Sequence, residues 1–297
     1  MSETTASLQR KIKSAGDLQS VVRVMKALAA SNIGQYEKAV RALDNYHRGV
    51  EVGLSICFQK RAPAGSMTEG SGRTPTGAIG AVVFGSDQGL VGRFNDDVAD
   101  YAAHTLATLQ QEPQVWAVGE RVHARLEDAG LTPMGLLTVP NSVKAITPLV
   151  GRVLALSETH DGRGAVAELY LFHNRPTSAA GYDPVGQRLL PLDEGWRRKL
   201  ADIPWPTGNL PEVIGGGATT LRGLVREYLF VSLYRACAES LASENASRLA
   251  AMQRADKNIE GLLEEFNGAF HRLRQRGIDE ELFEVVSGFE ALSTVKK

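Results

Sequence analysis

Two long proline-free stretches, one at each end of the chain, constrain this sequence most. Between residue 3 and about residue 57 the apolar residues Leu8, Ile12, Ala15, Val22, Ala29, Ile33, Tyr36, Val40, Leu43, Val50 and Leu54 recur in a 3-4 alternation. That spacing is the seam of a coiled coil rather than the period of a strand. The stretch from Leu221 to the C-terminus repeats the pattern through Val231, Tyr234, Ala238, Leu241, Met252, Ala255, Ile259, Leu262, Phe266, Ala269 and Leu273. At 1.5 Å per residue, 50–60 helical residues extend roughly 75–90 Å, far beyond an ordinary globular helix. An antiparallel pair closes the topology most simply, because a globular insertion returns the chain close to where it left. The alternative is a bundle in which both helices fold over that insertion.

Gln19, Lys26, His47, Asn245 and Arg248 interrupt the two seams. Burying such groups without partners costs stability. Either they fix register between the helices, or the seam opens there and they face water. A second apolar row, Leu18, Val21, Met25 and Leu28, runs beside the first. A two-stranded coil needs one seam only, so this row predicts a further partner. Ala29, Ala30, Ala246, Ala250 and Ala251 make slim helix surfaces, although alanine is also simply a good helix former.

The middle of the chain reads differently. RAPAGSMTEGSGRTPTGA, residues 61–78, has the glycine and proline content of a linker. AIGAVVFG, VWAVGE and part of GRGAVAELYLFHNR read as strands alternating with helical signals, which is the pattern of an α/β unit. Asn95 is placed to cap a helix running to about Gln111, and Thr220 to cap the C-terminal one. Gly277 either breaks or bends that last helix, and the first half of ELFEVVSGFEALSTV could also be strand. The division is therefore 1–60 N-terminal coil helix, 61–78 linker, 79–212 globular α/β domain and 213–297 C-terminal coil helix. The fold class is α/β, a long antiparallel coiled coil flanking a small Rossmann-like domain.

Chemistry is hard to find. Thirty-three basic residues oppose 34 acidic ones, which gives no argument for nucleic acid. Cys57 and Cys237 fit a reducing compartment, and neither a signal peptide nor a run of about 20 apolar residues is visible. The six histidines form no metal-ligand spacing, and no cofactor is implied. GSDQGLVGRFNDD, residues 85–97, has the look of a phosphate loop. Its glycines follow neither GxGxxG nor GxxxxGK[ST], and no lysine follows. A tight turn leading into a helix accounts for it, with a nucleotide-binding α/β enzyme as the rival reading.

KIKSAGDLQSVVRVMKALAASNI, residues 11–33, resembles the N-terminal helix of the gamma subunit of rotary F-type ATP synthases. SLASENASRLAAMQRADKNIEGLLEEFN, residues 240–267, is similar to that subunit's C-terminal helix. The central GSDQGLVGRFN resembles the family's SDRGLCGGFN. Gln88, Val91 and Arg93 depart from that pattern, Arg23 replaces a lysine, and Asn245 and Leu249 replace histidine and methionine. These departures resemble the alternative bacterial form proposed to move sodium. The resemblance implies a non-catalytic central-stalk rotor on the cytoplasmic face of the bacterial inner membrane, peripheral and attached only through Fo. Its implied partners are the alpha and beta subunits, epsilon and the c-ring. Candidate rotor–stator contacts are Arg23, Met25, Lys26 and Leu28, then Asp87, Gln88 and Arg248. A non-rotary coiled-coil scaffold or tether is the alternative function.

Overall fold

Thr4 opens the first helix. Its hydroxyl accepts the Ser7 amide at 3.2 Å while the Ser7 hydroxyl accepts the Thr4 amide at 3.3 Å, a reciprocal cap that satisfies two otherwise orphaned donors. With no proline to interrupt it, α1 then runs from Thr5 to Gln59. The computed structural model describes residues 4–59, 77–109, 111–158, 166–177, 181–192, 194–209, 211 and 217–294. The linker reading of 61–78 falls almost wholly outside them, as do Gly215 and Gly216. The chain forms two compact units, residues 1–28 with 249–297, and residues 29–248.

The first unit joins the start of α1 to the later part of α6, which spans Gly217–Thr294. Val22, Met252 and Ile259 are its buried centre, with Ala15, Met25, Ala251, Ala255 and Leu263 packed around them. Leu262, expected in the seam, faces outward, and Leu263 takes its place. The cause is geometric: after Ile259 a four-residue step stays closer to the buried face than a three-residue one, because 3.6 residues make a turn. The helix continues through Gly277, and ELFEVV is helical.

The second unit is built on a five-stranded sheet. Its strands are β1 (Ala78–Phe84), β2 (Gln114–Val118), β3 (Gly135–Leu137), β4 (Val166–Pro176) and β5 (Tyr182–Leu190), in the order β3-β2-β1-β4-β5. All neighbours are parallel except β4 and β5. Helices α2 (Phe94–Leu106), α3 (Glu120–Asp128) and α4 (Val143–Glu158) fill the crossovers, and the short α5 (Glu194–Ala201) follows β5. Because strand side chains alternate, β1 serves two cores. Ala81 and Val83 meet Val98, Ala102, Val122 and Leu126 of α2 and α3. Val82 and Phe84 belong to the opposite core, with Ile146 and Val150 of α4 and Leu233, Cys237 and Leu241 of α6. The α6 contribution explains why its central part, residues 236–245, is buried throughout.

Two sequence-based cap assignments are corrected. Helix α2 starts after Arg93, so Asn95 lies inside its first turn, and the helix stops at Leu106 rather than near Gln111. Asn95 turns back toward β1. Its side-chain oxygen accepts the Ser86 amide at 2.9 Å, and its amide nitrogen donates to the Ser86 hydroxyl at 2.9 Å. Thr220 likewise lies within α6, which begins at Gly217. Asn95 pins the end of β1 to the start of α2, so Asn95→Ala should cost about 1–3 kcal/mol by stranding the buried Ser86 donor. A thermal or urea unfolding curve measures this, and Asn95→Ser should not restore stability because its shorter side chain has no capping role here.

Candidate functional site

An open parallel sheet usually binds ligands beyond the carboxyl ends of its strands, where the strand order reverses. Here that place lies beyond β1 and β4, and the loop GSDQGLVGRFN follows β1 into it. Its polar groups are turned inward. Asp87 accepts the Glu120 amide at 3.1 Å and the Val139 amide at 3.0 Å, tying the β1 loop to the start of α3 and to the segment after β3. The Ser86 hydroxyl donates to the Gln88 carbonyl at 2.9 Å. Gly92 sits at φ +61°, and a Cβ on Gly85 would come within 2.3 Å of Val122. These glycines are demanded by turn conformation and close packing.

The crevice itself is taken by α6. Ser243 donates to the Asn174 carbonyl at 3.0 Å, and the Ser247 hydroxyl bonds the Val91 carbonyl. Asn174 in turn donates to the Phe94 carbonyl at 2.7 Å. The SENAS run of α6 is therefore a small-residue, hydroxyl-bearing face shaped to dock on strand ends and loop. What protrudes from the loop is Leu90, held at φ 63° and largely exposed, with Gln88 and Arg93 beside it. A non-glycine residue at positive φ with an apolar side chain in water is a local cost that a contact could offset.

The polar interruptions of the seams find partners, with Lys26 remaining partly exposed. In the first unit Asp256 accepts Lys26 at 2.7 Å and Gln19 at 3.4 Å, with the Arg23 guanidinium at 3.5 Å. In the second, Asn32 donates to Asn245 at 3.3 Å and Arg248 to Glu244 at 2.7 Å. His47 lies beside Glu51 at 3.5 Å and against the Tyr228 ring. Burial pushes the Glu244 carboxyl up, against the pull of Arg248, and the charge of Asp87 adds to the rise. Asp256 goes the other way, held below the usual carboxylate range chiefly by its hydrogen bond from Lys26.

The candidate contact residues thus occupy different settings. Met25 packs into the coil core, and Lys26 is half-buried on Asp256. Arg23 is mostly exposed, and Leu28 joins Leu18, Val21 and Val24 in an outward row, each more than half exposed. Asp87 and Arg248 are internal braces, while Gln88 is exposed. Sequence reasoning missed Asp256 and Glu244. A signal existed for Asp256, since antiparallel register brings an acidic residue beside the Ala255 seam position opposite Lys26. None existed for Ser243 and Ser247, whose partners are backbone carbonyls of distant segments.

A family model described as ATP synthase matches residues 4–292. The chain belongs to the ATP synthase gamma-chain family. It is 25% identical over 297 residues to the ATP synthase gamma chain of Polynucleobacter necessarius subsp. necessarius (strain STIR1), covering 97% of this chain and 99% of that one. The gamma chain of Parafrankia sp. (strain EAN1pec) is 28% identical over 294 residues, covering 96% and 97%. Among solved structures, the rotor of the Euglena gracilis mitochondrial ATP synthase aligns with a TM-score of 0.63 at 15% identity, over 92% of this chain and 98% of that one. The central stalk and c-ring structure from Tetrahymena thermophila gives 0.55 at 19% identity, over 79% and 99%. As a gamma chain it is a non-catalytic, central-stalk rotor subunit. Among the described residues no helix is long and apolar enough to cross a membrane.

The Asp256 bridge carries a pH test. A carboxyl whose folded value is depressed contributes stability fully above its unfolded value and loses it as pH falls through the lower folded one. Replacing Asp256 by Asn should reduce amide-exchange protection around residues 19–26 and 252–259 at neutral pH. The gap to the parent should close as pH drops below the ordinary carboxylate range. A gap constant with pH would exclude the charged bridge as its cause.

Proposed function

We propose that this chain is the turning shaft through which ion flow in Fo drives ATP synthesis in an alternating alpha–beta hexamer, and through which hydrolysis drives the reverse. The observation that carries the reading is the outward apolar row Leu18, Val21, Val24 and Leu28 on a helix whose seam is already filled. Such a row has no use in a lone two-helix coil and suits a shaft surrounded by other subunits. An asymmetric pair of helices presents different side chains to otherwise equivalent subunits, which is how a shaft can favour different conformations in each. The exposed apolar residues Ile278, Leu282, Phe283, Val285 and Val286 near the end of α6 support the same surroundings.

On this reading the partners are the alpha and beta subunits around the coil, with epsilon and the c-ring at the globular part. The chain is then peripheral, on the cytoplasmic face of a bacterial inner membrane. Arg23 is the candidate charged contact to a catalytic subunit, with Leu28 beside it; Lys26 and Met25 serve the coil and set the helix face that Arg23 occupies. Gln88 and Leu90 are the loop's contact candidates, and Asp87 and Arg248 act behind the surface. A scaffold would bind along an outer face without a hexamer, and an enzyme would bind nucleotide by itself. The inward-turned β1 loop speaks against the latter.

Tagged protein should bring down alpha and beta subunits in about 3:3:1 proportion, as a single asymmetric subunit in a ring requires. Stoichiometric nucleotide binding by the isolated chain without hexamer recruitment would overturn the rotor reading. Exposed ion pairs contribute only about 0–1 kcal/mol, so Arg23→Glu should leave assembly intact and slow coupled ATP hydrolysis; unchanged turnover removes Arg23 from the contact set. The divergence at Gln88, Val91 and Arg93 supports placement in the sodium-driven branch. Activity of the whole complex should then rise with sodium at fixed pH, and indifference to sodium assigns it to protons.

A further inference from the structure

One carboxylate in the second unit lies where the sheet meets both long helices. Glu239 of α6 is buried, and so is His173 near the end of β4. The Glu239 Oε2 accepts His173 Nε2 at 2.9 Å and Arg175 Nε at 3.2 Å, while Oε1 accepts Arg235 Nε at 2.8 Å. Arg235 also reaches Asp44 of α1 at 3.2 Å. One anion therefore links a strand, its own helix and, through Arg235, the opposing helix. Burial alone would raise the Glu239 carboxyl, but the bonds from His173 and Arg235 outweigh it and bring it down to about 2. Burial lowers His173, leaving it a neutral donor. Its Nδ1 is buried without a partner, which a lone pair tolerates better than a second N–H would.

Such a cluster is a poor device for stability alone. Removing a carboxylate from water costs several kcal/mol, and well-packed apolar residues do as well or better. What it supplies instead is direction. The apolar contacts between α6 and the sheet, made by Leu233, Cys237 and Leu241, are non-directional and resist sliding weakly. Charge-assisted hydrogen bonds from His173 and Arg175 cross from β4 to this carboxylate, and Arg235, one turn back on α6, carries the tie on to Asp44 of α1; together they hold one azimuth and register. Resting on the rotor reading, we propose that Glu239, with His173, Arg175 and Arg235, is a torque strut: it locks the α/β domain to the coil so that rotation of one turns the other without slip. These are positioning residues; none touches nucleotide or ion.

The test uses the whole complex in sealed vesicles, with ion transport per ATP hydrolysed measured against an increasing opposing gradient. Glu239→Gln keeps the shape and removes the charge on which the three donors converge. The transported ion per ATP should fall about two-fold or more under load, with hydrolysis by assembled complexes retained. Leu233→Ala, a cavity variant in the same core, should lower the yield of assembled complex but leave the ratio unchanged. If Glu239→Gln fails to assemble, Arg175→Gln and Arg235→Gln, both half-exposed, remove the strut one bond at a time and should each lower the ratio. A parental ratio under load in every variant that assembles would overturn the strut. Absence of hexamer or transport with the parent chain would instead overturn the rotor reading beneath it.

Discussion

An apolar stripe along a helix of 55 residues cannot be hidden by that helix alone, and the pairing of α1 with α6 answers this need. Everything else is arranged around that pairing. The stripe is narrow, so each helix keeps other faces free, and those faces do different work in the two units. In residues 1–28 with 249–297 the free face of α1 remains apolar and exposed. In residues 29–248 the free face of α6 is covered by the sheet, which accounts for the buried run from Ala236 to Asn245.

Several polar residues within these buried surfaces are placed against a complementary group. Lys26 meets Asp256, Asn32 meets Asn245, Arg248 meets Glu244, and Glu239 meets two arginines and a histidine. Pairing of this kind adds little net stability because desolvation offsets most of the attraction. The pairs that join α1 to α6, Lys26 with Asp256 and Asn32 with Asn245, penalise other registers, however, since a slipped helix would leave them without partners. For a subunit that transmits rotation, resistance to slip matters more than a deeper energy minimum.

The same economy explains why a doubly wound sheet here carries no chemistry of its own. Its strand-end crevice is filled by Ser243 and Ser247, and the loop that would hold a ligand spends its amides and carboxylate on Asn95, Glu120 and Val139. The sheet serves as a platform gripping a helix. The surface left exposed includes protrusions such as Leu90 and the free helix faces.

Local pattern alone determined the two long helices, most of their seams and the strands β1, β2 and β4, because hydrophobic burial writes a period of 3.5–3.6 into a helix face and a short apolar run into a buried strand. The motifs at both ends and the centre determined the family. Local order could not determine what depends on a residue far away in the chain. Asn95 has the chemistry of a cap and serves as a brace, because Ser86 happens to lie within reach. Short elements such as β3, with three residues, leave too little pattern to read. Whether Lys26 and Asn245 open the seam or close it was decided by Asp256 and Asn32, more than 200 residues distant. Tertiary structure fixed those pairings because the energy of a polar group is set by its partner, and only the fold chooses the partner.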